Sequence, residues 1–233
     1  MKLCIDSGNT RLKWALHEAG KWVRAGVLPH AELKRLRQVL PKQGVSDGVI
    51  GCNVAGAAKG KQIEAALSMP VRWVSAERRR CGVTNAYQDE ARLGADRWAA
   101  LIGAHALCPQ TALVVLAGTA TTIDLLNADG VHQGGLILPG LTMMLESLAT
   151  GTAGLPASRG NYQAQPTNTE DALASGAIHA TLGAIQRMYA QLPPGAICLL
   201  SGGAAEFLHP HLEMPIQCID NLVLEGLACI AAG

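Results

Sequence analysis

Net charge is nearly absent from this chain: 19 Lys and Arg face 18 Asp and Glu, a formal +1. Such a balance excludes a protein that grips long nucleic acid by bulk charge, because counterion release needs clustered Lys and Arg. Aromatics are scarce too, with four tryptophans, three tyrosines and one phenylalanine. They make poor stacking platforms for single strands. No C-x-x-C pair occurs among the seven scattered cysteines. That pattern argues against zinc or disulfides and for reduced, mostly buried thiols in a cytoplasmic protein. The start, Met1-Lys2-Leu3-Cys4-Ile5-Asp6, lacks a charged region followed by a long apolar one, so no secretory leader is expected. Residues 98–123 lack Asp, Glu, Lys and Arg and are long enough to span a bilayer, but Pro109-Gln110 divides them into a helix and a strand.

What the chain does have is apolar content, 49% of its residues, and 26 glycines. Periodicity predicts strands over 2–6, 11–17 and 21–28, then a helix over 30–40 with Leu33 and Leu36 on one face. Strands over 48–54 and 71–75 enclose a helix over 60–69. Arg78-Arg79-Arg80 reads as a solvated loop. The order restarts with strands over 112–117, 123–127 and 131–138 and a helix over 141–149. A long helix over 168–192 starts with a capping box, Thr167-Asn168-Thr169-Glu170, and a strand over 196–201 and a terminal helix over 220–232 follow. Strand, small-residue turn, strand, strand, helix thus occurs twice. The expectation is an α/β protein of two domains of one topology, 1–111 and 112–233, with a ligand cleft between them and the terminal helix able to return to the first.

Three turns carry chemistry. Asp6-Ser7-Gly8-Asn9-Thr10 ends a strand and offers backbone N–H groups and hydroxyls to a phosphate, with Lys13 on the next strand and Asp6 near enough to hold a metal-bound water. Alone it is an ordinary hairpin turn. Gly118-Thr119-Ala120-Thr121-Thr122 takes the matching place in the second half. Ser201-Gly202-Gly203 runs from a strand into a helix, where glycine permits close approach and the helix start favours an anion or nucleoside. Three such pieces in this order are the layout of the actin-like ATPase and sugar-kinase superfamily. Among the histidines, His209-Pro210-His211 reads as a surface turn, and His105 and His179 as satisfied structural residues.

The resemblance is narrower still. Asp6-Ser7-Gly8-Asn9-Thr10-x-x-Lys13, Leu93-Gly94-Ala95-Asp96-Arg97-Trp98 and Gly118-Thr119-Ala120-Thr121-Thr122-Ile123-Asp124 resemble the three signature motifs of type III pantothenate kinases, also called Bvg accessory factors. Gly134-Gly135-x-Ile137-x-Pro139-Gly140 and Ser201-Gly202-Gly203 agree as well. The resemblance implies two ribonuclease H-like domains and transfer of the ATP γ-phosphoryl group to the primary hydroxyl of pantothenate, the first step of coenzyme A synthesis. It further implies that Asp6, Ser7, Gly8, Asn9, Thr10, Lys13, Thr119, Thr121, Thr122, Gly202 and Gly203 hold ATP. By the same resemblance Asp96 is the base, Tyr87, Gly94, Ala95 and Arg97 contact pantothenate, and Thr169 reaches the site from the partner subunit of a homodimer. Asp124 is implied to hold a monovalent cation, K⁺ or NH₄⁺, and Asp6 to hold Mg²⁺, directly or through water. Glu90 stands where the family usually has proline, which leaves the Tyr87 loop open. Neither nucleic acid nor membrane is expected as a partner. The alternative is a nucleotide-binding accessory protein of the same fold that leaves pantothenate untouched.

Overall fold

The computed structural model describes residues 1–40, 44–155 and 160–233. In chain order the first elements are β1 (Lys2–Ser7), β2 (Arg11–Glu18), β3 (Lys21–Pro29), β4 (Val49–Asn53), α1 (Ala57–Leu67), β5 (Arg72–Trp73), β6 (Arg79–Arg80), β7 (Val83–Asn85) and α2 (Ala95–Leu107). Then come β8 (Ala112–Ala117), β9 (Ala120–Leu126), β10 (Val131–Pro139), α3 (Leu141–Gly151) and α4 (Thr169–Tyr189). Last are β11 (Ile197–Ser201), α5 (Ala205–Leu208), β12 (Ile216–Cys218) and α6 (Leu222–Ala232). The chain packs as two compact units, residues 1–109 with 129–132 and 221–233, and residues 110–128 with 133–220.

In the first unit the sheet runs β3-β2-β1-β4-β5. The meander β1-β2-β3 is antiparallel, whereas β4 and β5 join in parallel. Alternation sends Leu3 and Ile5 to a core shared with Leu12, Leu36 and Ile63. It sends Cys4 and Asp6 to the opposite face. Helix α2 is buried from Arg97 to Ala104 and packs on α6, where small residues, Ala99 and Gly103 against Gly226, permit a close crossing. Two Arg side chains tie α6 down: Arg72 and Arg80 both donate to the Ile230 carbonyl, at 2.8 and 3.2 Å.

The second unit repeats the scheme. Its strands run β10-β9-β8-β11-β12, part of a seven-stranded sheet. Strands β8 and β9 are antiparallel, and β11 and β12 add in parallel. Leu113, Val115, Ile123 and Leu200 pack on Ile178, Leu182 and Ile185 of α4. The five strands of this unit thus follow the order of the five-stranded sheet in the first.

Several local expectations are corrected. The 30–40 segment is 3-10 rather than α-helical and breaks at Glu32, although Leu33 and Leu36 are buried as the helical face required. Arg79 and Arg80 form a strand against β7, because Arg80 has the Ile230 carbonyl to bind. At α4 the cap lies one residue later than read: Asn168 accepts the Asp171 N–H at 2.8 Å and donates to the Asp171 carboxylate at 2.8 Å. Asp171 is preferred to Glu170 because it also accepts the Asn161 N–H, at 2.7 Å. All seven cysteines are free, but only Cys4, Cys52 and Cys198 are buried. The buried Nδ1 of His105 has no hydrogen-bond partner, so that residue is not satisfied as expected. Of the loop-like stretch 151–166, residues 156–159 lie outside the described residues. No helix among the described residues is long and apolar enough to cross a membrane.

Candidate active site

The first unit gathers the titratable groups. Register puts Lys13 of β2 and Cys52 of β4 directly beside Asp6 at the end of β1, one on each side. Side chains level with one another across strands share a face, so these three form a row. Cys52 donates its thiol hydrogen to Asp6 Oδ1 at 3.5 Å. Burial pushes the Asp6 carboxyl up to about 6; Lys13 pulls it down, the nearby Asp96 carboxylate raises it, and the Cys52 hydrogen bond lowers it. Asp96 therefore belongs to the same electrostatic neighbourhood as the row. Burial also holds the Cys52 thiol well above its usual range, which leaves it a donor and not a nucleophile.

Asp96 is the second residue of α2, and the preceding Gly94 caps that helix. The Gly94 carbonyl accepts the Trp98 N–H at 2.9 Å. The Asp96 carboxylate accepts the Arg97 N–H at 2.8 Å, at a helix end whose dipole favours negative charge. Arg97 is 4% exposed. Its Nη1 donates to the Tyr87 hydroxyl at 2.8 Å, and its guanidinium lies over the Tyr87 ring at 5.5 Å. His132 stacks on the other partner, with ring centroids 5.5 Å apart. The loop does without the family proline because buried Asn85 holds it twice. It accepts the Tyr87 N–H at 3.0 Å and donates to the Glu90 carbonyl at 3.1 Å.

The first turn is held from outside the hairpin. His30 Nε2 donates to the Gly8 carbonyl at 2.7 Å. Ser7 lies on the face opposite Asp6, fully buried, and its hydroxyl has no partner. Asn9 and Thr10 are exposed.

The second unit contributes hydroxyls and backbone. Thr121 pairs with Ala117 and shares the core face with Ile123, while Thr122 pairs with Leu116 and shares the other face with Asp124. Alternation thus splits two neighbouring hydroxyls that the sequence grouped together. Both Thr121 Oγ1 and Thr122 Oγ1 are buried without a partner. Asp124 is 1% exposed. The turn is fixed by backbone bonds, Gly118 N–H to Ala120 O at 3.1 Å and Gly140 N–H to Thr119 O at 2.9 Å. A Cβ on Gly140 would overlap the Gly118 and Thr119 carbonyls. Gly202 has φ 110°, and a Cβ there would overlap the Ala117 backbone. Gly203, in contrast, faces open space. Thr169 is the exposed first residue of α4. With Met144, Leu148, Leu155 and Leu173 it lines an apolar groove of about 520 Å³ beside α3.

Sequence reading missed three of these residues. Cys52 and His30 are brought in by strand register: Asp6 pairs with Cys52, and Arg11 pairs with Pro29, which sets His30 beside the turn. Gly140 was legible as part of a Gly-rich motif, but its contact with the turn was not. No group of three or more His, Cys, Asp or Glu able to hold a metal occurs among the described residues. His209–His211 is a 3-10 turn, with His211 packed on the Tyr162 ring at 4.0 Å.

A family model described as type III pantothenate kinase matches residues 2–191. The type III pantothenate kinase of Dechloromonas aromatica (strain RCB) is 48% identical over 235 residues, 99% of each chain. That of Aromatoleum aromaticum is 49% identical over 237 residues, covering 99% of this chain and 98% of the relative. Among solved structures, a conserved Baf family protein from Campylobacter jejuni superimposes with a TM-score of 0.66 at 21% identity, over 99% of this chain and 97% of its own. An activator of 2-hydroxyisocaproyl-CoA dehydratase from Clostridium difficile, solved with bound ADPNP, gives 0.56 at 11% identity, over 99% and 93%. At such identities the structural likenesses speak for the fold alone, an actin-like ATPase fold. The family follows from the family model and from the relatives that match from end to end: the chain belongs to the type III pantothenate kinase family.

Proposed function

We propose that this protein transfers the γ-phosphoryl group of ATP to the primary hydroxyl of pantothenate, the first step of coenzyme A synthesis. The observation that carries the site assignment is the gathering of Asp6, Lys13 and Asp96 in one unit, close enough for Lys13 and Asp96 to shift the Asp6 carboxyl. Phosphoryl transfer asks little covalent work of a protein and much positioning and charge neutralisation. In the transfer, a bond forms between the pantothenate hydroxyl oxygen and the γ-phosphorus. The bond to the ADP oxygen breaks, and the hydroxyl proton passes to the Asp96 carboxylate. The Arg97 guanidinium suits the pantothenate carboxylate, which its planar fork can hold at two points. Tyr87 holds that guanidinium in place, and the Gly94–Ala95 backbone lies against the substrate.

The two hairpin turns receive the phosphates. Asn9 and Thr10 present N–H groups in the first, with Lys13 behind them; Thr119, Thr121 and Thr122 serve in the second, Gly202 and Gly203 at the nucleoside. The orphaned buried hydroxyls of Ser7, Thr121 and Thr122 suit a polar ligand beside them. A carboxyl held up by burial and a second carboxylate suits a cation, so Asp6 would hold Mg²⁺, directly or through water. Mg²⁺ would neutralise phosphate charge when bound. Asp124 would hold K⁺ or NH₄⁺. The protein works in the cytoplasm. The exposed Thr169 and the apolar α3–α4 groove support a homodimer with Thr169 completing the partner's site.

Incubation with ATP, Mg²⁺, K⁺ or NH₄⁺ and pantothenate should yield phosphopantothenate. Folded protein that binds ATP and gives none would contradict the reading and favour an accessory role. A monomer in light scattering at assay concentration would remove the dimer.

A further inference from the structure

We infer that His30 is a positioning residue for ATP, acting through the first phosphate turn; this rests on the reading of residues 7–10 as that turn. The Gly8 carbonyl can only accept a hydrogen bond, so the His30 nitrogen 2.7 Å from it carries the hydrogen. The other ring nitrogen, Nδ1, is buried and has no partner. The consequence lies in peptide geometry. Gly8 C=O and Asn9 N–H belong to one planar trans unit and point in opposite directions. Fixing the carbonyl on His30 therefore fixes the Asn9 N–H on the far side. Gly8 lets this peptide rotate freely unless something outside the turn holds it. His30 follows Pro29, the last residue paired with β2, so the histidine is delivered to the turn by strand register and not by sequence neighbourhood.

Two variants separate this role from simple packing. His30→Phe keeps the ring and loses the donor; His30→Gln loses the ring and keeps a donor at similar reach. ATP binding with Mg²⁺ is measured by calorimetry, and KM for pantothenate by steady-state kinetics. We expect His30→Phe to weaken ATP roughly tenfold, the scale of one lost hydrogen bond. KM for pantothenate should stay within about twofold, and His30→Gln should recover most of the ATP affinity. ATP affinity unchanged in His30→Phe overturns the proposal. So does the reverse pattern, Phe tolerated and Gln not. Because ATP binding is read apart from turnover, wild-type protein that binds ATP without phosphorylating pantothenate would sink the proposed function and leave this inference standing.

Discussion

The two hairpin turns join corresponding strands of the two units but are held by different means. The first leans on a side chain: His30 donates to the Gly8 carbonyl. The second leans on backbone: Gly140 N–H donates to the Thr119 carbonyl. Titratable groups divide in the same way. The first unit collects Asp6, Lys13, Cys52, Asp96, Arg97 and Tyr87, whereas the second offers threonine hydroxyls, glycine contacts and Asp124. A turn held by a side chain can be loosened by deleting atoms. A turn held by backbone at close quarters is disturbed by adding them.

The largest effect should come from the unit rich in titratable groups. Asp96→Asn is expected to lower turnover by about 10²–10⁴, the usual contribution of a positioned base, with ATP binding retained. Quench-flow or steady-state kinetics beside calorimetry checks both halves. Unchanged turnover would remove Asp96 from the mechanism.

Next is the second turn. Gly140 has φ −69° and ψ 167°, which any residue adopts, so Gly140→Ala acts through crowding alone. Overpacking of this kind costs about 1–3 kcal/mol, readable as a lower urea midpoint, together with weaker ATP binding. Gly203→Ala is the companion: with open space around it, stability should move by less than about 0.5 kcal/mol. Equal destabilisation by both would dissolve the distinction between the two positions.

A third effect concerns pH. The folded Asp6 carboxyl ionises near 6, above its ordinary 3.8, so the native state binds that proton more tightly than the unfolded chain does. Its stabilising contribution is complete below about 3.8 and is lost as pH rises to about 6. Asp6→Asn should therefore flatten the fall in cation-free stability across that window and raise stability at pH 7 by at most about 3 kcal/mol. The exposed Asp47 and Asp171 carboxyls are shifted the other way, downward by their hydrogen-bond partners, and both proteins keep them, so the difference between urea midpoints isolates Asp6. Parallel pH curves would contradict the burial of Asp6. A smaller effect than that of Asp6→Asn is expected from Cys52→Ala, about 1 kcal/mol or less through the lost thiol contact.

Much of this was legible in the sequence, and the reasons for the remainder are physical. Alternation and turn residues marked both meanders, and the Gly94–Trp98 motif stood where α2 begins. Four things escaped. Register brought Cys52 and His30 to the first turn, and register depends on pairing partners far along the chain. A run of three arginines reads as solvated, yet Arg80 finds a carbonyl of α6 and becomes strand. Thr167-Asn168-Thr169-Glu170 reads as the capping box, yet Asn168 caps α4 through Asp171, which also accepts the distant Asn161 N–H. The hydroxyls of Thr121 and Thr122 are neighbours in the sequence, but strand alternation places them on opposite faces.

The most direct test of the proposed activity is mass-spectrometric detection of phosphopantothenate from wild-type and Asp96→Asn protein, each supplied with ATP, Mg²⁺, K⁺ or NH₄⁺ and pantothenate, and each shown to bind ATP. Product from the wild type and a loss of at least about a hundredfold in the variant is the expected result. No product from ATP-binding wild-type protein, or equal product from both, would contradict it.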